Sequence, residues 1–127
     1  MSSAPRRGRS LLPAVLALVL QLVVVYAPSG GGVAPFPNFD KLVHLTVFAL
    51  PVLFALLARL PLVPVVTLMA LHAPVSEVVQ ATLLPHRSGD PWDAVADLTG
   101  VALGVLVARA VVTVRTPGRE ADHLRGR

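Results

Sequence analysis

The chain contains no cysteine, which excludes disulfides, iron–sulfur clusters and cysteine-based zinc sites. Charge is scarce as well. Only 14% of the 127 residues are Asp, Glu, Lys or Arg, where an ordinary soluble domain carries about 25%. Aromatic residues amount to 5%, and no basic stripe is interleaved with them. A pI near 11.1 therefore does not point to nucleic acid. What the chain has instead is apolar surface: 54% of it is hydrophobic and its mean hydropathy is +0.72. That balance belongs to a membrane protein, and the length allows one domain.

The apolar residues fall into four runs. The first, Leu11 to Ala27, is interrupted only by Pro13 and Gln21. At about 1.5 Å per residue it reaches roughly 26 Å, at the short end of what crosses a bilayer. A basic start (Arg6, Arg7, Arg9), an apolar run and a small residue also describe a signal peptide. Pro28 directly after the small residue disfavours cleavage, and more apolar runs follow, so a retained span is the better reading. Glycines and prolines between Pro28 and Phe39 mark a loop. The second run extends from about Phe39 to Leu60 with Pro51 inside it, and Pro61 and Pro64 mark a tight turn. Leu62 to Leu84 is the third run; after a polar loop at 85–91, Trp92 to Val114 is the fourth.

The expected fold is all-α: a polytopic membrane protein built as a four-transmembrane-helix bundle over residues 11–114. Residues 1–10 form a basic cytoplasmic tail and 115–127 a charged one. Nine of the eleven basic residues lie at one face in this threading: Arg6, Arg7, Arg9, Arg59, Arg109, Arg115, Arg119, Arg125 and Arg127. The positive-inside rule then places both termini in the cytoplasm, with the 28–39 and 85–91 loops outside.

With that threading, polar residues from three spans meet in the outer leaflet. Asp40, Lys41 and His44 open the second span, Glu77 and Gln80 lie near the outer end of the third, and Asp93 and Asp97 open the fourth. Arg87 and Asp90 stand at the rim. Asp90-Pro91 is a helix start, with an N-cap carboxylate followed by proline where no N–H is needed. At roughly 100° per residue, Asp93, Asp97, Gly100 and Gly104 share an arc of about 60°. Ionisable groups inside a membrane face the bundle interior or a wet cavity and pair with one another.

Each of these residues also has a plainer role open to it. Asp90 can serve simply as a helix cap, and Asp93 simply to favour the positive end of the helix dipole. Asp40 and Lys41 can sit solvated among headgroups, with Lys41 snorkelling outward. His72 lies about 140° around its helix from Glu77 and reads as a core histidine; His86 reads as a solvated loop residue. The Gly100–Gly104 spacing means close packing within the monomer. Glu77 resists the plain reading best, because it lies inside its span and needs a cation, a proton or water.

Three motifs carry a resemblance. Asp40-Lys41-x-x-His44, Glu77-x-x-Gln80 and Arg87-x-x-Asp90-x-x-Asp93, with Gly100 and Gly104 after them, closely resemble the VanZ-like membrane proteins in kind and order. They cover roughly residues 39–104, nearly all of the apolar part. Asp97 departs from the family pattern, which often has asparagine there. The resemblance implies a small bacterial multi-span protein, and the family's named member is associated with low-level resistance to the glycopeptide teicoplanin. It supplies no mechanism.

Three functions compete. The first is a cell-envelope protein whose outer-leaflet site binds a lipid headgroup, a lipid-linked cell-wall precursor or a lipoglycopeptide, with Arg87, Lys41 and His44 pairing with its anionic groups. The second is a membrane-embedded hydrolase or transferase acting on lipid-linked substrates, with Glu77 or His44 as general base and Arg87 stabilising negative charge. The third is an ion pathway, weakened because the inner halves of all four spans are apolar. A purely structural salt-bridge network is the remaining alternative. Carboxylates at Glu77, Asp93 and Asp97 match no metal-ligand code, so neither metal nor cofactor is expected.

Overall fold

The computed structural model describes residues 9–28 and 30–115. The tails assigned to 1–10 and 115–127, with Arg6, Arg7, Arg119, Arg125 and Arg127, lie mostly or wholly outside these residues. Four helices follow in order: α1 (Leu12–Tyr26), α2 (Phe39–Leu57), α3 (Leu62–Leu83) and α4 (Pro91–Val114). Three of them, α2, α3 and α4, are long and apolar enough to cross a membrane. Helix α1 has 15 residues, which at about 1.5 Å each is roughly 22 Å, shorter than the apolar run that contains it.

The boundaries follow local chemistry. Asp90 caps α4 by accepting from Trp92 N–H at 2.9 Å, and Pro91 takes the first helical position. Helix α2 stops in a paired-hydrogen-bond ending. Arg59 adopts a left-handed conformation (φ 68°), Leu60 N–H reaches Ala55 O, and Arg59 N–H reaches Leu56 O, both at 3.0 Å. These bonds satisfy carbonyls the last turn leaves open, and Pro61 prevents continuation. Pro51 and Pro74 lie inside α2 and α3.

Helices α2 and α4 form the most extensive interface. At Gly100 a Cβ would run into the carbonyl oxygen of Leu45; at Gly104 it would stand 2.6 Å from Ala49 O and 2.9 Å from Val52 Cβ. Small residues here let the two backbones touch, the usual means of tight helix association in lipid. Val25, Phe48, Val52, Met69, Ala73 and Val101 fill the centre.

The pattern of burial is inverted relative to a water-soluble bundle. Leu12, Leu16, Val19 and Val23 face outward on α1, and Leu68, Leu71, Val75 and Val78 do so on α3. Gln21, His44, Ser76, Glu77, Gln80, Asp93 and Asp97 are buried. Apolar residues outside and polar ones inside are the signature of a helical membrane protein, whose outer surface is solvated by lipid.

Candidate functional site

The C-terminal ends of α1 and α3 and the N-terminal ends of α2 and α4 come together at one end of the bundle, and the polar residues collect there. They form two layers. In the upper layer Lys41 Nζ sits among three carboxylates, 2.8 Å from Asp90, 3.1 Å from Asp40 and 3.2 Å from Asp93. An ammonium has three donors, and each finds an acid. Lys41 therefore turns inward rather than snorkelling away, and it ties the start of α2 to the start of α4. Asp90 stands outside the helical spans, and the hydrogen bond from Lys41, followed by that from Trp92 N–H, holds its carboxyl below the ordinary value of 3.8.

The lower layer is buried. His44 Nδ1 lies 2.9 Å from Asp97 Oδ1 and 3.9 Å from Glu77 Oε1, while Nε2 lies 3.8 Å from Asp93 Oδ2. Glu77 is fixed from the other side. Its Oε2 accepts from Asp90 N–H at 3.0 Å. That bond depends on Gly89, where a Cβ would come within 2.8 Å of Ala81 Cβ and 2.9 Å of Glu77 O. The turn before α4 thus lies directly on α3. Glu77 Oε1 and Asp97 Oδ2 are buried with no hydrogen-bond partner among the described residues.

Gln80 and Arg87 do not join the acids. Gln80 donates to Val25 O at 3.0 Å and Arg87 to Val24 O at 3.1 Å, so both hold the end of α1. Charge alone would let Arg87 partner Glu77, but the final carbonyls of α1, which lack intrahelical donors, take its N–H instead. A second polar contact set on α1 was not anticipated. Tyr26 Oη lies 2.8 Å from His72 Nε2 and Gln21 Nε2 lies 3.4 Å from its Nδ1, and the ring stacks on Phe48 at 5.4 Å. Gln21 is the lone polar side chain within the α1 helix before Tyr26. A buried amide on an apolar helix needs a partner, and that was the available signal.

Between these layers and the 32–35 loop lies a cleft of about 490 Å³. Asp40, His44, Gln80, His86, Arg87, Ser88 and Asp93 supply its polar lining, and Val24, Val33 and Phe39 are among its apolar walls. A second crevice of about 230 Å³, bounded by Leu18, Pro51, Leu68 and Met69, has no ionisable side chain in its wall. The first is the site with chemistry. A mouth that combines imidazole, guanidinium and carboxylate with apolar walls can hold an anionic head while its chain stays in an apolar phase. Two groups of donors are spaced for a metal, His44–Glu77–Asp97 and Asp40–Asp90–Asp93, and Lys41 already occupies the second.

Comparison of the chain with protein-family models, with curated proteins and with solved structures finds no match.

Proposed function

We propose that this chain is a VanZ-like, four-span protein of the bacterial plasma membrane whose polar end lies in the outer leaflet and binds the anionic head of a lipid-linked cell-envelope molecule. The observation that carries this reading is the cleft lined by His44, Gln80, Arg87 and Asp93 at the polar end of an otherwise lipid-facing bundle. One guanidinium N–H of Arg87 goes to Val24 O, and a guanidinium has five such donors in a planar fork suited to phosphate or carboxylate. The acids keep Lys41 and His44 in place beneath it. Both termini are cytoplasmic on this reading, because Arg9, Arg59, Arg109 and Arg115 share the opposite end of the bundle. Helix α1 counts as the fourth span. Leu11 and Ala27 extend its apolar length, and the contacts of Gln80, Arg87, Tyr26 and Gln21 support its place in the bundle.

The His44–Asp97 pair favours a second reading, a hydrolase or transferase of lipid-linked substrates. With Nδ1–H donated to Asp97 at 2.9 Å, Nε2 becomes the proton acceptor at the cleft. A carboxylate that fixes the imidazole tautomer is the usual way to make a general base.

Purified protein in nanodiscs, titrated with a lipid pyrophosphate, separates the two. Saturable binding without turnover, weakened by Arg87→Gln, supports the binder; turnover abolished by His44→Ala supports the enzyme; neither result rejects both. Cells expressing the protein should tolerate teicoplanin better than cells expressing Arg87→Gln. Equal susceptibility at equal membrane levels would remove the glycopeptide link. Cysteines placed at Gly31 and His86 should label from outside intact cells, and failure of both would invert the topology.

A further inference from the structure

The two polar layers differ in how their charge is balanced. The polar end holds five carboxylates, Asp40, Glu77, Asp90, Asp93 and Asp97, against Lys41 and Arg87. Lys41 satisfies the upper layer, and Arg87 is directed at a carbonyl. Below them Glu77 and Asp97 have only the imidazole of His44 between them. Each also aims a buried oxygen, Glu77 Oε1 and Asp97 Oδ2, to which no described residue donates a hydrogen bond. The Asp97 side chain is wholly buried and that of Glu77 is 10% exposed. Unmet carboxylate oxygens in an apolar bundle are among the costliest groups a fold can contain.

We propose that His44 Nδ1, Glu77 Oε1 and an Asp97 oxygen form a binding site for a first-row divalent cation such as Zn²⁺ or Mn²⁺. Donor spacing fits. A cation with ligands at about 2.0–2.2 Å separates neighbouring donor atoms by about 3–3.5 Å. The observed separations are 2.9 Å (His44–Asp97) and 3.9 Å (His44–Glu77), and one donor atom from each of the three side chains lies within 4.8 Å of the others. The surroundings fit as well. A ligating histidine directs its second nitrogen at a carboxylate, and a ligating carboxylate is itself hydrogen-bonded. His44 Nε2 faces Asp93 Oδ2 at 3.8 Å, Asp93 Oδ1 accepts from Lys41 at 3.2 Å, and Glu77 Oε2 accepts from Asp90 N–H at 3.0 Å. Each support leaves the opposite atom of its residue directed inward. The imidazole makes Mg²⁺ and Ca²⁺ poorer occupants than Zn²⁺ or Mn²⁺. Three donors leave positions open toward the cleft, where His44 is a wall residue.

This inference does not require the head-group reading, and its test uses no lipid ligand. Full-length protein purified in detergent is stripped with chelator, equilibrated with Zn²⁺ or Mn²⁺, and assayed for bound metal by atomic emission. The expected result is about one ion per chain, with affinity lowered at least ~10-fold in Glu77→Gln and in Asp97→Asn and unchanged in Asp40→Asn. Pulsed electron paramagnetic resonance on bound Mn²⁺ should show one nitrogen coupling that His44→Ala removes. Three outcomes overturn the proposal: no retained ion, an ion whose affinity is indifferent to Glu77→Gln and Asp97→Asn, or Mn²⁺ in the wild-type protein without nitrogen coupling. The last needs no variant to fold.

Discussion

Helix α4 is joined to α2 by different means from those that join α1 to α3. The first pair meets backbone to backbone, with Gly100 under Leu45 O and Gly104 under Ala49 O and Val52. The second pair is held mainly by polar contacts, Gln80 to Val25 O, Tyr26 to His72 and Gln21 to His72, with few close approaches between the helices. In lipid there is little hydrophobic force to press helices together, so close packing and polar contacts carry association. Packing at a glycine tolerates no added atom. A polar bond can be lost one at a time, each loss costing little. The α2–α4 pair is therefore the rigid frame, with α1 packed on α2 and α3 on α4.

That contrast can be broken by substitution. Gly100→Ala should cost about 3 kcal/mol, because a carbonyl must move rather than a flexible side chain. Gly104→Ala, whose added Cβ meets Val52 partly through its side chain, should cost about 2 kcal/mol. Unfolding in mixed micelles measures both, and a cost under that of the α1–α3 variants would reverse the ranking of the interfaces. Gln80→Leu, which strands Val25 O, should cost about 1 kcal/mol and increase protease access to the 28–39 loop before global unfolding. Tyr26→Phe removes one bond to His72 and should cost about 0.6 kcal/mol.

The smallest effect concerns the rim of the rigid pair. Lys41 lowers the folded pKa of Asp90 below its ordinary 3.8. The stabilisation from that carboxylate is complete above 3.8 and is lost as pH falls through the lowered folded value. Below pH about 4 the melting temperature of the wild type should therefore fall more steeply than that of Asp90→Asn. Parallel acid limbs would show that the Lys41–Asp90 contact adds no stability.

Much of the frame could be read from residue spacing. Asp93, Asp97, Gly100 and Gly104 share one arc of α4, and all four are buried, because helical period and side-chain size together leave one face able to approach α2. Asp90-Pro91 marked the start of α4 through purely local chemistry. Lys41 and His44, one turn apart on α2, were placed beside the acids by depth alone, and the structure brings them within hydrogen-bonding distance. What was not legible depends on azimuth between helices. Nothing in the spacing of Gln80 says that it faces Val25 O on α1 rather than the Glu77 carboxylate three residues away. Charge alone would set Arg87 beside an acid, whereas geometry sends it to Val24 O. The His44–Glu77–Asp97 grouping draws one residue from each of three helices, so no short code announces it. The conformation of Arg59, which ends α2 in the left-handed region usually occupied by glycine, had no sequence signal.

The turn between α3 and α4 has a mechanical consequence. Arg87 stands in the wall of the cleft, and only Ser88 and Gly89 separate it from Asp90, whose N–H holds Glu77. Gly89 has no side chain and lies flat on Ala81 and Glu77 O, so this link is short and has little slack. A pull on the guanidinium is therefore transmitted through three peptide units to the carboxylate beneath. By reciprocity, a ligand bound at Glu77 and an anion bound at Arg87 would change each other's affinity by the same coupling free energy. The floor of the cleft and its rim behave as the two arms of one lever, with Gly89 as its fulcrum.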